Sequence, residues 1–145
     1  MSAPTPDQAR ALIEAGRRLY EDGLLGGTAG NLSVRVPGAD TLLVTATGVH
    51  KGRLQPADVR AVPLTAGDPD RDAGATSELP FHRACYRADP SVGAVVHTHA
   101  PALTAVGIRQ LPLTGALPEL EAAVGRVAVV DPLPSGSRAL AEGVG

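Results

Sequence analysis

The chain has 145 residues, 43% of them hydrophobic and 19% charged, the size and composition of one compact domain. Thirteen basic against fifteen acidic residues give a net charge of -2, with no basic stripe, and only Tyr20, Phe81 and Tyr86 are aromatic. Neither a nucleic acid nor an anionic membrane is expected as a partner. A core built from Ala, Val and Leu buries less area per residue than one with aromatics, so association into an oligomer is expected to add stability. The single Cys85 forms no internal disulfide, no apolar run approaches the ~20 residues needed to span a bilayer, and Met1 to Asp7 lacks the pattern of a signal peptide. The expected location is the cytoplasm.

Thr5-Pro6-Asp7-Gln8 reads as a capping box, with Pro at the first helical position. Ala9, Leu12, Ile13, Gly16, Leu19 and Tyr20 follow at helical spacing, and Gly23 ends the helix. A glycine-rich turn, Gly26 to Asn31, leads into Leu32-Ser33-Val34-Arg35-Val36, whose alternation predicts a half-buried strand. Thr41 to Thr45 is its hairpin partner across the turn Pro37 to Asp40. Thr47 to Gly52 is a polar loop in which His50, beside Lys51, is read as solvent-facing; Gln55 to Asp58 is a turn. Val59 to Leu64 is a third strand that Pro63 confines to a sheet edge. Thr65 to Ala75 is a surface loop. A helix starts at Ser77-Glu78-Leu79-Pro80 and runs to about Asp89. Gly93 to His97 is an apolar run of buried-strand type. Short helices are expected over Ala102 to Gly107 and Leu117 to Val124, a last strand over Val127 to Val130, and a helix from Ser135 onward. No internal repeat or linker is visible, so one α/β domain is expected.

His97-Thr98-His99 is the sharpest chemical feature. Side chains two apart on a strand share a face, so both imidazoles converge as half of a zinc site, or else form an exposed or hydrogen-bonded pair. Glu78 opens the preceding helix and is either a third participant or a first-turn acid favoured by the helix dipole. His82, one turn later, either stands behind those groups or is a half-buried helix residue. Gly30-Asn31, Thr47-Gly48 and Thr76-Ser77 place small and hydroxyl residues at turns or helix starts, where backbone N–H groups and short donors can hold a phosphate. Each alone is equally an ordinary turn former.

In order, Gly30-Asn31-Leu32-Ser33-Val34-Arg35, Thr45-Ala46-Thr47-Gly48, Thr76-Ser77-Glu78 with His82 and Tyr86, and Ala94 to Pro101 with its His97-Thr98-His99 resemble the class II aldolase/adducin family. This group contains L-fuculose-1-phosphate aldolase and L-ribulose-5-phosphate 4-epimerase. The resemblance implies a three-layer α/β/α sandwich with a largely antiparallel central sheet, assembled as a homotetramer. It implies a divalent ion, Zn²⁺ or another such as Mn²⁺ or Co²⁺, held by His97, His99 and Glu78, with Glu78 also serving as catalytic acid/base. Gly30, Asn31, Thr47, Gly48, Thr76 and Ser77 are the implied substrate phosphate pocket. The implied activity is a metal-dependent aldehyde-lyase acting on a small phosphorylated sugar or aldehyde through a zinc-stabilised enediolate. Epimerase, dehydratase or decarboxylase activity on the same scaffold, and a non-catalytic adducin-like interaction module, are the alternatives.

Two features depart from the family pattern. The family's third metal-binding His follows the helix that here begins near Ser135, so residues 1–145 are expected to form one family domain lacking its C-terminal segment and to bind metal weakly alone. The stretch Leu111 to Ala116 also lacks the Tyr that the family's aldolases contribute to a neighbouring subunit.

Overall fold

The computed structural model describes residues 6–65, 72–111, 113, 118–125 and 127–144. Helix α1, Pro6–Glu21, has Asp7 in its first turn and Arg18 in its last, in the sense that suits the helix dipole. Thr5 of the expected capping box lies outside the described residues. On the solvent face Arg17 reaches Glu14 and Glu21, and Arg18 reaches Glu14, at 2.6–2.8 Å. These exposed pairs contribute a few tenths of a kcal/mol each. The opposite face buries Leu12 and Gly16. Gly16 permits a close approach, since a Cβ there would lie 2.7 Å from Leu54 Cδ1 and 3.0 Å from the carbonyl oxygen of Lys51. Alanine at this position would push α1 off the loop that carries Lys51.

Four strands follow, β1 (Asn31–Arg35), β2 (Leu42–Thr45), β3 (Val59–Val62) and β4 (Ala94–His97), forming an entirely antiparallel sheet of order β3-β2-β1-β4. The predicted hairpin is present, and β3 is an edge strand that stops before Pro63. Strand alternation divides the core in two. Leu32 and Leu43 pack with Leu12, Leu25, Val36 and Leu54 on the α1 side. Leu42, Val44, Val62 and Val95 pack with Leu79 and Tyr86 of α2 (Leu79–Ala88) on the other. Helices on both faces of an antiparallel sheet make the expected three-layer α/β/α arrangement.

Beyond β4 come α3 (Pro101–Ile108), α4 (Pro118–Val124) and α5 (Arg138–Val144), the last packed against α2. Leu117, the expected start of α4, lies outside the described residues. Three expectations need correction. The helix expected from Ser135 begins only at Arg138, because Ser135 and Gly136 form a turn and the Ser137 hydroxyl accepts from the Leu140 N–H in the manner of a cap. Val127 to Val130 is not a strand, since it pairs with no strand among the described residues and leaves Val129 and Val130 exposed. β4 is a sheet edge rather than a fully buried strand: Val95 is covered by α2, whereas Val96, on the α1 side, is 48% exposed. Among the described residues no helix is long and apolar enough to cross a membrane.

Candidate functional site

The β1–β4 register sets Asn31 directly opposite His97 and Ser33 opposite Val95. Opposed residues of an antiparallel pair point to the same face, here toward α2. The two segments meet at Gly30, which has φ +72° and lies so close to β4 that a Cβ would stand 2.5 Å from the His97 carbonyl oxygen. Only glycine suits this combination of left-handed backbone and contact.

At this end of the sheet, segments from five parts of the chain line a polar pocket of about 170 Å³. Every residue proposed from the sequence as a site residue lines it: Gly30 and Asn31, Thr47 and Gly48, Thr76 and Ser77, Glu78, and His97 and His99. Three further polar residues, Thr28, Lys51 and Ser135, share the lining. The Thr47 and Thr76 N–H groups are spent on the carbonyls of Gly74 and Thr45, so what these two residues turn to a ligand is their hydroxyls. The Thr76 hydroxyl also accepts from the Glu78 N–H at 3.3 Å. Glu78 is the residue that precedes α2, and its side chain does not cap the helix. It is buried, with Oε1 accepting from the Ser135 hydroxyl and Oε2 having no partner.

Behind Asn31 runs a buried chain of hydrogen bonds. His82 is fully buried in α2, with Nε2 against Asn31 Oδ1 and Nδ1 2.7 Å from Ser33 Oγ, which lies 2.8 Å from the Tyr86 hydroxyl. Burial, aided by the nearby His97, lowers the His82 pKa to about 4, so the ring is neutral at pH 7. A neutral imidazole donates from one nitrogen and accepts at the other. With Nε2–H donating to Asn31 Oδ1, Nδ1 accepts from Ser33, and the Asn31 amide is held with its oxygen toward α2. His82 is thus the residue behind the site.

His97 is likewise held below the ordinary histidine range, by burial first and by His99 second, against an opposing pull from Glu78. Its Nδ1 is buried without a partner, and its ring centroid lies 4.9 Å from that of His99. An unpartnered carboxylate oxygen and an unpartnered imidazole nitrogen lining one pocket are donors of the types a divalent cation takes. The expected set of three is not drawn together, however: among the described residues no three His, Cys, Asp or Glu side chains are disposed to hold a metal. Glu78 is turned in part toward Ser135, and His99 is exposed.

His97 and His99 also line a second, larger and mainly apolar recess of about 600 Å³, with Ile108, Val130, Pro132, Leu133 and Leu140 in its walls beside the polar Thr98, Thr104, Gln110 and Asp131. His50 is not solvent-facing as expected. It is half-buried, accepts from the Gly52 N–H at 3.2 Å and stacks edge-on to Tyr20. Sequence reading missed Thr28, Lys51 and Ser135 as site residues. No local signal marks them, because which side chains line the pocket is set by how separate segments pack. Most of the stretch Leu111 to Ala116 lies outside the described residues.

The chain belongs to the class II aldolase and adducin family, whose N-terminal domain matches residues 10–145. It is similar to the methylthioribulose-1-phosphate dehydratase of a Bradyrhizobium species, 44% identical over 110 residues that make up 72% of this chain and 49% of that protein. Among solved structures it is similar to L-fuculose-1-phosphate aldolase from Thermus thermophilus, at 34% identity and a TM-score of 0.69 over 81% of this chain and 57% of that one. It shares the fold of a sugar-phosphate aldolase from Thermotoga maritima, with a TM-score of 0.75 at 22% identity over 94% of this chain and 75% of that one. The chain spans about half the length of the curated relatives it matches.

Proposed function

We propose that the chain carries the phosphate-anchoring and carboxylate-bearing part of a dehydratase that removes water from a ketose 1-phosphate with an apolar tail, methylthioribulose 1-phosphate being the substrate of choice. The observation that carries this reading is the pair of unlike cavities that share His97 and His99 in their walls: the polar cradle of Asn31, Thr47, Gly48, Thr76 and Ser77, and the mainly apolar recess of Ile108, Val130, Pro132 and Leu133. A phosphate suits the first and a methylthio group the second. The names of the curated relatives support the same choice.

Elimination begins with loss of the proton from the carbon beside the ketone. The buried Glu78 Oε2, free of hydrogen bonds, is the base for that proton. The carbon–oxygen bond at the next carbon then breaks, and the departing hydroxyl takes the proton back from Glu78 and leaves as water. The resulting enol takes up a proton at carbon and releases its hydroxyl proton to become a second ketone, so the net change is loss of one water. One carboxyl group serves both transfers, which removes the need for a separate donor to a leaving aldehyde. A divalent ion, zinc in the first instance, would be held by His97 and His99 with Glu78 near it, and when bound supplies Lewis-acid polarisation of the ketone oxygen. The phosphate cradle orients the substrate from a distance. Assembly as a homo-oligomer belongs to the same proposal, supported by the exposed Leu103, Ile108 and Leu111.

A carbon–carbon cleaving reaction is the second reading, favoured by the identity to the Thermus aldolase. Phosphorus NMR of the protein with added Zn²⁺, Mn²⁺ or Co²⁺ separates the two. Consumption of methylthioribulose 1-phosphate, with no condensation of dihydroxyacetone phosphate and short aldehydes, is the expected result. Condensation without dehydration would replace the dehydratase by an aldolase. Silence with every metal would favour an adducin-like interaction module.

A further inference from the structure

We infer that Lys51 is the cation of the phosphate site, holding a substrate phosphate with its ammonium while tying together the two loops that cradle it. This rests on the reading of the polar pocket as a phosphate-ester site. Lys51 is the only lysine in the chain and is 2% exposed. Its Nζ donates to the carbonyl oxygens of Thr28 at 2.9 Å and Val49 at 2.7 Å, and its backbone N–H donates to the Gly27 carbonyl at 2.9 Å. Gly27 and Thr28 belong to the loop that ends in Gly30 and Asn31, while Val49 follows Thr47 and Gly48. One side chain therefore staples both halves of the proposed cradle.

An ammonium group has three N–H donors, and two are spent on carbonyls. No carboxylate lies within ion-pair distance of Lys51 among the described residues. A buried charge held only by neutral carbonyls is expensive, and the cost falls when an anion arrives. Among the described residues the pocket that Lys51 lines holds no other Lys or Arg; besides Ala46, Glu78, His97 and His99, its lining is made of the hydroxyl, amide and glycine groups that accommodate a phosphate. Neutral donors can shape a phosphate site, but a dianion also calls for positive charge, which a lysine supplies as a compact point charge. Burial lowers the ammonium's pKa, with Asp58 partly opposing, in keeping with a cation whose partner comes with the ligand. A purely structural role accounts for the two carbonyl bonds but does not call for the residue to line the pocket.

The single lysine makes the test direct. In protein labelled with ¹⁵N only at lysine side chains, one ammonium resonance reports Lys51 alone. Inorganic phosphate is added while its binding is measured in parallel by calorimetry, on the wild-type chain and on Lys51→Gln. The expected result is a saturable shift of the ammonium signal with the calorimetric dissociation constant, and at least about tenfold weaker phosphate binding by Lys51→Gln, the loss of one charge-assisted contact. Phosphate binding with an unmoved ammonium signal, or with equal affinity in a folded Lys51→Gln, would overturn the role of Lys51 and leave the phosphate-ester reading standing. Absence of phosphate binding to the wild type would overturn both. If Lys51→Gln does not fold, the wild-type titration decides by itself.

Discussion

Asn31 on β1 and His97 on β4 are direct partners across the antiparallel register, so the proposed phosphate cradle and the proposed metal end of the site are joined through one rung of the sheet. Gly30 precedes Asn31 and lies against the His97 carbonyl. A shift of β4 by one residue would turn His97 to the α1 side, away from Glu78.

Gly30→Ala tests that junction. The substitution forces a side chain into a left-handed conformation and into contact with backbone at 2.5 Å. The expected loss is about 2 kcal/mol or more, read as a lower midpoint in urea unfolding. An unchanged midpoint would mean that β1 and β4 do not approach as described.

The buried His82 makes stability depend on pH. Its pKa falls from an ordinary 6.5 to about 4 on folding, so between those values the unfolded chain binds more protons than the folded one. Stability from this group is complete above pH 6.5 and is lost as pH falls toward 4, by up to about 3 kcal/mol. Urea unfolding from pH 7 to 4.5 should show this slope in the wild type and a shallower one in His82→Gln. Equal slopes would remove His82 as the cause.

Metal binding should be measurable and weak. Zn²⁺ is expected to raise the thermal midpoint and a chelator to reverse the gain, because binding to the folded state alone stabilises it. His97→Ala should remove the response. Stoichiometric zinc retained through dialysis, by elemental analysis, would contradict weak binding.

A fourth test concerns the loop before α2. The Arg83 guanidinium is buried, donates to both oxygens of Asp72 at 2.7 and 2.8 Å and also to the Pro63 carbonyl. Asp72→Asn removes the charge from this two-pronged, largely buried pair and should cost about 3 kcal/mol. A loss below 0.5 kcal/mol, roughly the scale of an exposed pair, would show that Asp72 is not the partner in solution.

Much of the site was legible from residue order. The alternation of Leu32 to Val36, the spacing of His97 and His99, and the small-residue turns at Gly30, Thr47 and Thr76 are local patterns, and local patterns report backbone conformation and which face a side chain takes. From them come the hairpin, the edge position of β3 and all nine proposed site residues, which the fold brings to one pocket.

What only the tertiary structure decided is which distant loops meet there. Lys51 lies in sequence in a polar loop with nothing to mark it, and it is buried because Gly16 lets α1 lie on its loop and because Thr28 and Val49 turn their carbonyls to it. Ser135 reads as a helix start and instead occupies one oxygen of Glu78. Val127 to Val130 has the composition of a strand, but a strand needs a partner's hydrogen bonds as well as its own propensity. Burial and pairing are properties of two segments at once, so they are settled when the chain folds rather than by either segment alone.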